Sequence, residues 1–148
     1  MLTCRVSLCA AICAAVSFFP AQDVAGQTPT PTVALQYRPS QKDVEYDSPA
    51  AADVKRCVVK LERGEGKSGF TVFDPNGQIL RRYTDTNGDR FIEQWRYFRL
   101  GTEVYRDIDS NFDNKIDQSR WVNTGGSRWS IDKNQDGKID SWRSLSAE

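Results

Sequence analysis

The chain of 148 residues contains no histidine. This absence excludes catalytic triads and general bases built on imidazole, and with them the commonest zinc and copper sites. No sign of charge predominates either, since 20 lysines and arginines balance 20 aspartates and glutamates. The acidic and basic residues are interleaved along the sequence. We therefore expect neither an acidic tail nor a nucleic-acid partner.

Cysteine is scarce outside the N-terminal segment. Three of the four cysteines are Cys4, Cys9 and Cys13, which leaves Cys57 alone in the rest of the chain. An internal disulfide is excluded for a mature chain with one cysteine. We expect Cys57 to be a small buried residue, and the alternative is an intermolecular disulfide. A small secreted domain without a disulfide needs another stabilising element, and a metal ion is one candidate.

The sequence also lacks a hydrophobic run long enough for a typical membrane span. The run from Val6 to Ala21 has about 16 residues, whereas a span needs about 20. Arg5 precedes it, and the small residues Val24 and Gly26 follow. This pattern predicts a signal peptide over residues 1–26, with an uncleaved anchor as the alternative. The mature protein would then be secreted, periplasmic or at the cell surface, without a membrane span.

The next segment, residues 27–47, is rich in proline, threonine and glutamine and has no sustained periodicity. It is predicted to be a flexible or extended leader to a domain over residues 48–148. Ser48 and Pro49 fit the N-cap and first position of a short helix over residues 49–56. The alternation in Cys57–Arg63 then favours a strand.

A repeat begins at Gly69. Three units, at about residues 69–93, 94–117 and 118–140, each contain a predicted β-hairpin followed by a polar loop. Turn residues such as Asp74-Pro75-Asn76-Gly77 place the hairpins at about residues 69–84, 95–108 and 119–131. The fold class is therefore predicted to be mainly β, an antiparallel meander of hairpins with a short N-terminal helix. Such a meander would place all three loops along one end.

All four tryptophans lie in or beside the repeats. Large aromatic rings pack a thin sheet well, so they are interpreted as core residues. The alternative is that one or two are exposed as a platform for a sugar or a protein partner. These residues are Trp95, Trp121, Trp129 and Trp142.

The three polar loops share one pattern of oxygen-bearing side chains. Their first aspartates are 24 and 23 residues apart, and the candidate ligands occupy positions 1, 3, 5 and 9 of each loop. Position 8 is isoleucine in all three, at Ile92, Ile116 and Ile139. Calcium takes six to eight oxygen ligands, so this spacing predicts Ca²⁺ as the cofactor. The candidate metal ligands are Asp85, Asn87, Asp89 and Glu93 in loop one, Asp109, Asn111, Asp113 and Asp117 in loop two, and Asp132, Asn134, Asp136 and Asp140 in loop three.

These loops resemble the D-x-[DN]-x-D-G-x-[IV]-D pattern of EF-hand-like loops, dockerin modules and thrombospondin type 3 repeats. The hairpin-and-loop unit, over about residues 69–145, resembles repeats of secreted bacterial proteins. The resemblance implies calcium binding outside the cytoplasm and implies no catalytic activity. A true EF-hand is not expected, because position 12 is arginine instead of glutamate, at Arg96, Arg120 and Arg143, and because the flanks read as strands.

Two questions about the loops remain open at the sequence level. Glycine, which suits a left-handed backbone, occupies position 6 only in loop three, as Gly137; loop two has Asn114 and loop one has Arg90. We therefore expect the strength of the sites to fall in the order three, two, one. The alternative is that all three loops are metal-free turns, since Asp and Asn favour turns without any ion.

Together these features predict a secreted, non-enzymatic calcium-binding repeat protein. Calcium would be structural, and the surface would serve adhesion or bind an unknown protein or glycan outside the cytoplasm. One alternative is a carbohydrate-binding module that uses exposed tryptophans. Another is a carbohydrate-active enzyme that uses two carboxylates.

Overall fold

The computed structural model describes residues 28–64 and 67–146. It contains one eight-stranded antiparallel sheet in which each strand pairs with the next one along the chain. The predicted fold class, a mainly β meander of hairpins, is confirmed. The strands are β1 (Val58–Gly64), β2 (Lys67–Phe73), β3 (Ile79–Asp85), β4 (Gln94–Arg99), β5 (Thr102–Ile108), β6 (Gln118–Asn123), β7 (Gly126–Ile131) and β8 (Ser141–Ser146).

Short turns and long loops alternate between the two ends of the sheet. The β2–β3 turn is fixed by Asp74, whose Oδ1 accepts the backbone N–H groups of Asn76 at 2.9 Å and Gln78 at 2.7 Å. The β4–β5 turn places Leu100 and Gly101 at positive φ. In a meander these tight turns share one end, so the three acidic loops lie together at the other end, as the sequence predicted.

One face of the sheet forms the aromatic core. Tyr83, Tyr97 and Tyr105 are fully buried and occupy neighbouring strands. The ring centroids of Tyr97 and Tyr105 are 5.7 Å apart, and Trp121 continues the series 5.1 Å beyond Tyr105. The series ends at Trp142 on β8, which is 45% exposed. The buried residues are therefore concentrated on β2 to β5.

The described part of the predicted flexible or extended leader, residues 28–47, packs over this face. Within the described part of that segment, Ala34, Leu35 and Tyr37 are buried in the core. The Tyr37 ring lies 5.2 Å from that of Tyr83, and the Tyr46 ring lies 5.3 Å from that of Tyr97. A single sheet needs a second layer to bury its apolar face, and this segment supplies it with one α-helical turn and otherwise irregular structure.

A buried polar group holds the covering segment to the sheet. The Asp107 carboxylate, fully buried, accepts hydrogen bonds from the backbone N–H of Ser40 at 2.8 Å and from its hydroxyl at 2.5 Å. The hydroxyls of Tyr105 and Ser119 also donate to it, at 2.6 and 2.9 Å. Burial raises the pKa of Asp107, and these hydrogen bonds oppose the rise.

The predicted helix over residues 49–56 is wrong in extent and type. The chain makes turns there and then a 3₁₀ helix over Val54–Arg56, closed by bonds such as Arg56 N–H to the Asp53 carbonyl at 2.9 Å. The one α-helical turn in the described chain is α1 (Pro31–Ala34). Hydrogen bonds from Asp53 to Ala50 and from Arg56 to Asp53 link residues three apart, so the segment is wound more tightly than an α-helix.

Cys57 is buried, as the sequence predicted, with its thiol 3.5 Å from the Asp53 carbonyl oxygen. The expected signal peptide, residues 1–26, lies outside the described residues. Within residues 28–64 and 67–146, no helix has the length and apolar character that crossing a membrane requires.

Candidate metal centre

The three acidic loops are neighbours that connect β3 to β4, β5 to β6 and β7 to β8. Backbone hydrogen bonds join each loop to the next. The N–H of Asp109 donates to the Glu93 carbonyl at 2.9 Å, and the N–H of Asp132 donates to the Asp117 carbonyl at 2.9 Å. Position 1 of one loop is thus tied to position 9 of the loop before it. The loops therefore form one continuous edge of the molecule.

All three loops adopt the same backbone conformation. Positions 4 and 6 of every loop have positive φ, at Gly88 (85°) and Arg90 (78°), Phe112 (62°) and Asn114 (66°), and Gln135 (56°) and Gly137 (84°). A left-handed conformation is unfavourable for residues such as arginine and phenylalanine, by about 1–2 kcal/mol each. Interactions elsewhere in the loop must therefore compensate for it.

The position 1 aspartates supply part of that compensation. Asp85, which is 1% exposed, accepts the backbone N–H groups of Gly88 at 2.6 Å and Arg90 at 3.1 Å. Asp109 does the same with Phe112 at 2.8 Å and Asn114 at 2.7 Å. These are the residues at positive φ, so the first carboxylate fixes the turn around itself.

Positions 3 and 5 form two successive Asx turns. In loop one, the Asn87 side chain accepts the N–H of Asp89 at 2.9 Å, and Asp89 accepts the N–H of Phe91 at 2.9 Å. The equivalent bonds occur in the other loops, where Asn111 and Asn134 accept from position 5 and Asp113 and Asp136 accept from position 7. The side chains at positions 3 and 5 are therefore ordered by the backbone of their own loop.

Position 9 closes each loop against position 2. Glu93 accepts the N–H of Thr86 at 2.6 Å and its hydroxyl at 3.0 Å. Asp117 accepts the same two groups of Ser110, at 2.8 and 2.5 Å. In loop three, where position 2 is a lysine without a hydroxyl, Asp140 accepts the N–H of Lys133 at 2.7 Å. The hydroxyl at position 2 is a supporting group that our sequence analysis missed, although it is visible there in loops one and two.

In loop one the closure brings three carboxylates together. Ligand oxygens of Asp85, Asp89 and Glu93 all lie within 4.8 Å of one another, and this is the one such group found among residues 28–64 and 67–146. The three side chains could hold a metal ion. Burial raises the pKa of Glu93, and the charges of Asp85 and Asp89 add to the rise, while hydrogen bonds from Thr86 oppose it.

Loop three offers a different indication. One carboxylate oxygen of Asp132, Oδ2, accepts the N–H of Gly137 at 2.9 Å. The other, Oδ1, is buried and has no hydrogen-bond partner within the described residues. A buried acceptor without a partner is unfavourable, and a cation would satisfy it.

Loop two has neither feature. Its Asp109 carboxylate is fully used by backbone donors, and burial raises its pKa although those donors oppose the rise. The described residues thus bring three carboxylates together in loop one and leave one carboxylate oxygen unpaired in loop three. The order of site strength expected from position 6 stays a prediction, and Arg90 adopts the left-handed conformation that is unfavourable for arginine.

No protein-family model matches the chain, and searches of curated proteins and of solved structures found no significant match. Function is therefore inferred from the site itself.

Proposed function

We propose that the protein is a secreted, non-enzymatic repeat protein whose acidic loops bind calcium. The observation that carries this proposal is the convergence of Asp85, Asp89 and Glu93 within a loop whose backbone conformation recurs twice. Calcium would neutralise the loops and hold adjacent hairpins together. The sheet would then present its surface to a partner outside the cytoplasm.

The donor set supports calcium over other metals. Carboxylate and amide oxygens suit hard cations, whereas zinc and copper sites usually contain histidine or cysteine. Histidine does not occur in the chain, and Cys57 lies outside the loops. Magnesium demands stricter octahedral geometry and usually keeps several waters, so irregular loops favour calcium.

Metal-free Asx turns are the main competing interpretation. The backbone bonds to positions 1, 3, 5 and 9 would stabilise the loops without an ion. They do not remove the repulsion among the three carboxylates of loop one, and they leave Asp132 Oδ1 unpaired. A bound cation would account for both features.

The described structure gives little support to catalysis. A pocket of about 270 Å³ at the opposite end of the sheet is lined partly by Asp47, Asp53 and Asp74. Each of these carboxylates is already used, since Asp47 binds Gln78, Asp53 pairs with Arg56, and Asp74 holds the hairpin turn. General acid–base work needs carboxylates free to exchange protons with a substrate.

The tryptophans also fit a structural role better than a carbohydrate platform. Trp95 is buried, and Trp121 and Trp129 are half-buried. Trp142 is exposed but packs beside Trp121, with the Arg128 guanidinium 3.7 Å from its ring centroid. The described chain therefore shows no row of exposed tryptophans.

A calorimetric calcium titration of Asp89→Asn tests the proposal. Asparagine keeps the oxygen that accepts the Phe91 N–H but removes one charge from the cluster. We expect the variant to lose about one calcium equivalent, or to bind it at least roughly tenfold more weakly, because Ca²⁺ affinity depends on the ligand charge.

Asp74→Asn is the matched control, because Asp74 also closes an Asx turn but lies outside the acidic loops. It should leave calcium binding unchanged. Absence of calcium binding in the unmodified protein, or equal losses in both variants, would contradict the proposal.

A further inference from the structure

The face of the sheet opposite the covering segment carries a continuous line of arginines. Arg82 pairs with Arg96 across β3 and β4, Arg96 with Arg106, and Arg106 with Arg120. Arg120 then pairs with Trp129, and Trp129 with Arg143 on β8. We call this set the arginine row: Arg82, Arg96, Arg106, Arg120, Trp129 and Arg143.

The arginine row is a product of the repeat. Arg96, Arg120 and Arg143 occupy position 12 of the three loops, and Arg82 and Arg106 lie three residues before position 1 of loops one and two. In the third repeat that place is taken by Trp129. Because the loops are equal in length, the antiparallel register brings these positions side by side. Acidic and basic residues alternate along the sequence, but the strand pairing gathers arginines on one face of the sheet.

Few acidic groups neutralise the arginine row. Glu62 binds Arg82 at 3.0 Å, and Glu103 binds Arg106 at 2.7 Å. Arg96 donates instead to the neutral side chain of Gln94, at 2.6 Å. Like charges directly opposite each other destabilise a sheet, so stability does not explain why arginines face one another here.

Within residues 28–64 and 67–146, Arg120 and Arg143 have no carboxylate partner either. Arg120 donates to the Ser127 hydroxyl at 3.1 Å, and its guanidinium lies 4.8 Å from the centroid of the Trp129 ring. Arg143 is exposed. The Nε atoms of Arg96 and Arg120 are buried without a hydrogen-bond partner in the described chain. The row therefore keeps an excess of positive charge, although these two buried Nε atoms are out of reach of a ligand.

The row is regular and long. Neighbouring strands are about 4.8 Å apart, so the five steps from Arg82 to Arg143 span about 24 Å. Every hydrogen-bond partner found for its arginines belongs to the sheet itself within the described residues. The covering segment lies on the other face, as the Tyr37–Tyr83 and Tyr46–Tyr97 contacts show.

We propose that the arginine row binds a linear acidic polysaccharide of the polyuronate type. Such a chain has one carboxylate per sugar, and a sugar unit is similar in length to the strand spacing. Guanidinium groups recognise carboxylates through paired, charge-assisted hydrogen bonds. Trp129 lies within the row with the Arg120 guanidinium 4.8 Å from its ring centroid, so it helps to hold the row in place and the arginines supply the recognition.

Other anionic polymers fit less well. Single-stranded nucleic acid is bound by stacking successive bases on several aromatic rings, whereas the row contains one. An acidic peptide in extended form would pair with the edge of a sheet instead of crossing its face. Both are nevertheless useful competitors in the test.

The test is a binding titration of the whole mature chain with an oligogalacturonate long enough to span the row. Chelator is present throughout, so that the outcome does not depend on calcium in the loops. We expect binding that weakens with salt, and we expect Arg96→Gln/Arg120→Gln to weaken it by roughly tenfold or more, because two charge-assisted contacts are lost. The methyl-esterified oligomer should not bind.

Arg128→Gln/Arg99→Gln is the matched control, since it removes two charges from residues outside the row. It should change the affinity by less than about threefold, which is the scale of a screened surface charge. Equal weakening in both double variants would overturn the proposal. So would tighter binding of a single-stranded oligonucleotide or of polyglutamate, or self-association of the protein that the row variant abolishes.

A second variant keeps the test valid if the first one fails to fold. Arg143 is exposed at the end of the row, so Arg143→Gln leaves the buried part of the sheet intact. We expect it to weaken oligogalacturonate binding by roughly threefold, because one contact of several is lost. Unchanged affinity in this variant would count against the row.

Discussion

At the scale of single residues, Gly69 on β2 shows how closely the sheet is built. A Cβ atom at this position would lie 2.1 Å from the Tyr83 carbonyl oxygen on β3. Backbone atoms in a paired strand cannot move aside cheaply. We expect Gly69→Ala to lower the free energy of unfolding by about 2–3 kcal/mol, as overpacking does. Chemical denaturation monitored by tryptophan fluorescence measures it.

Gly64→Ala is the control for that change. Gly64 ends β1, and a Cβ atom there would meet nothing within 4 Å. Its effect should stay within about 0.5 kcal/mol, as for most surface substitutions. A similar loss in both variants would mean that the close approach to Tyr83 is not the cause.

Residue patterns predicted part of the loop geometry. Glycine and asparagine at position 6 correctly indicated a left-handed backbone in loops two and three. Position 4 gave no such signal in loops two and three, because Phe112 and Gln135 rarely adopt positive φ. The conformation at position 4 depends on a hydrogen bond from its N–H group to the position 1 carboxylate. That bond forms only when the whole loop is folded, so the residue type at position 4 does not reveal it.

At the scale of elements, the covering segment is held by a few polar contacts. The Ser40 hydroxyl lies 2.5 Å from Asp107 and within hydrogen-bonding distance of Tyr105 and Ser119. Ser40→Ala would remove a donor from a buried carboxylate. We expect a loss of about 2 kcal/mol in the free energy of unfolding, the scale for hydrogen bonds to charged groups.

Ser144→Ala, at an exposed position of β8, provides the comparison for Ser40. It removes the same hydroxyl without touching the buried network, so denaturation midpoints should match those of the unmodified protein. If Ser40→Ala were equally neutral, the contacts of Ser40 would not be what holds the covering segment.

The hairpins were predictable because their signals are local. Turn residues and period-two alternation placed all three within a few residues of β2–β3, β4–β5 and β6–β7. The covering segment was not predictable, since Leu35 and Tyr37 are buried by contacts with strands far along the chain. The arginine row was missed for the same reason. It exists only after the strands are placed in register.

At the scale of the whole molecule, buried tyrosines couple the fold to alkaline pH. Burial raises the pKa of Tyr37 to about 12 and raises the pKa values of Tyr83, Tyr97 and Tyr105 further. An unfolded tyrosine ionises near pH 10. The folded state therefore holds protons that the unfolded state releases. The contribution of the protonated tyrosines to the free energy of unfolding is complete below about pH 10 and is lost as pH rises through the folded-state pKa values.

We expect the free energy of unfolding to fall above about pH 10, by up to about 1.4 kcal/mol per pH unit for each buried tyrosine. Denaturant titrations across this range, with phenolate absorbance recorded in parallel, measure the slope. Tyr97→Phe should make this slope shallower, because phenylalanine has no hydroxyl to ionise. The Tyr97 hydroxyl has no hydrogen-bond partner in the described chain, so the substitution breaks no hydrogen bond there. Phenolate formation before unfolding would show that the rings are accessible.

Calcium binding should stabilise the whole fold, because the three acidic loops form one continuous edge of the molecule. The backbone bonds from Asp109 to Glu93 and from Asp132 to Asp117 join the loops, so ordering one loop supports the next. With calcium at ten times the dissociation constant, each site would add about 1.4 kcal/mol, and three sites about 4 kcal/mol. For a domain of this size that corresponds to a melting temperature about 10 °C higher or more.

We therefore expect chelation to lower the melting temperature clearly, and Asp89→Asn to remove about a third of the difference, since it disables one of three sites. Thermal melts at fixed pH and ionic strength, with calcium, with chelator and with magnesium as a control for charge, measure the effect.

The melts should also show which part loosens first. The acidic loops should lose order before the Asp74 turn, which is closed by its own hydrogen bonds at the far end of the sheet. Identical midpoints in all three conditions would mean that the loops are ordinary Asx turns, and that repulsion within the Asp85 cluster is relieved by protons or solvent instead of a metal ion.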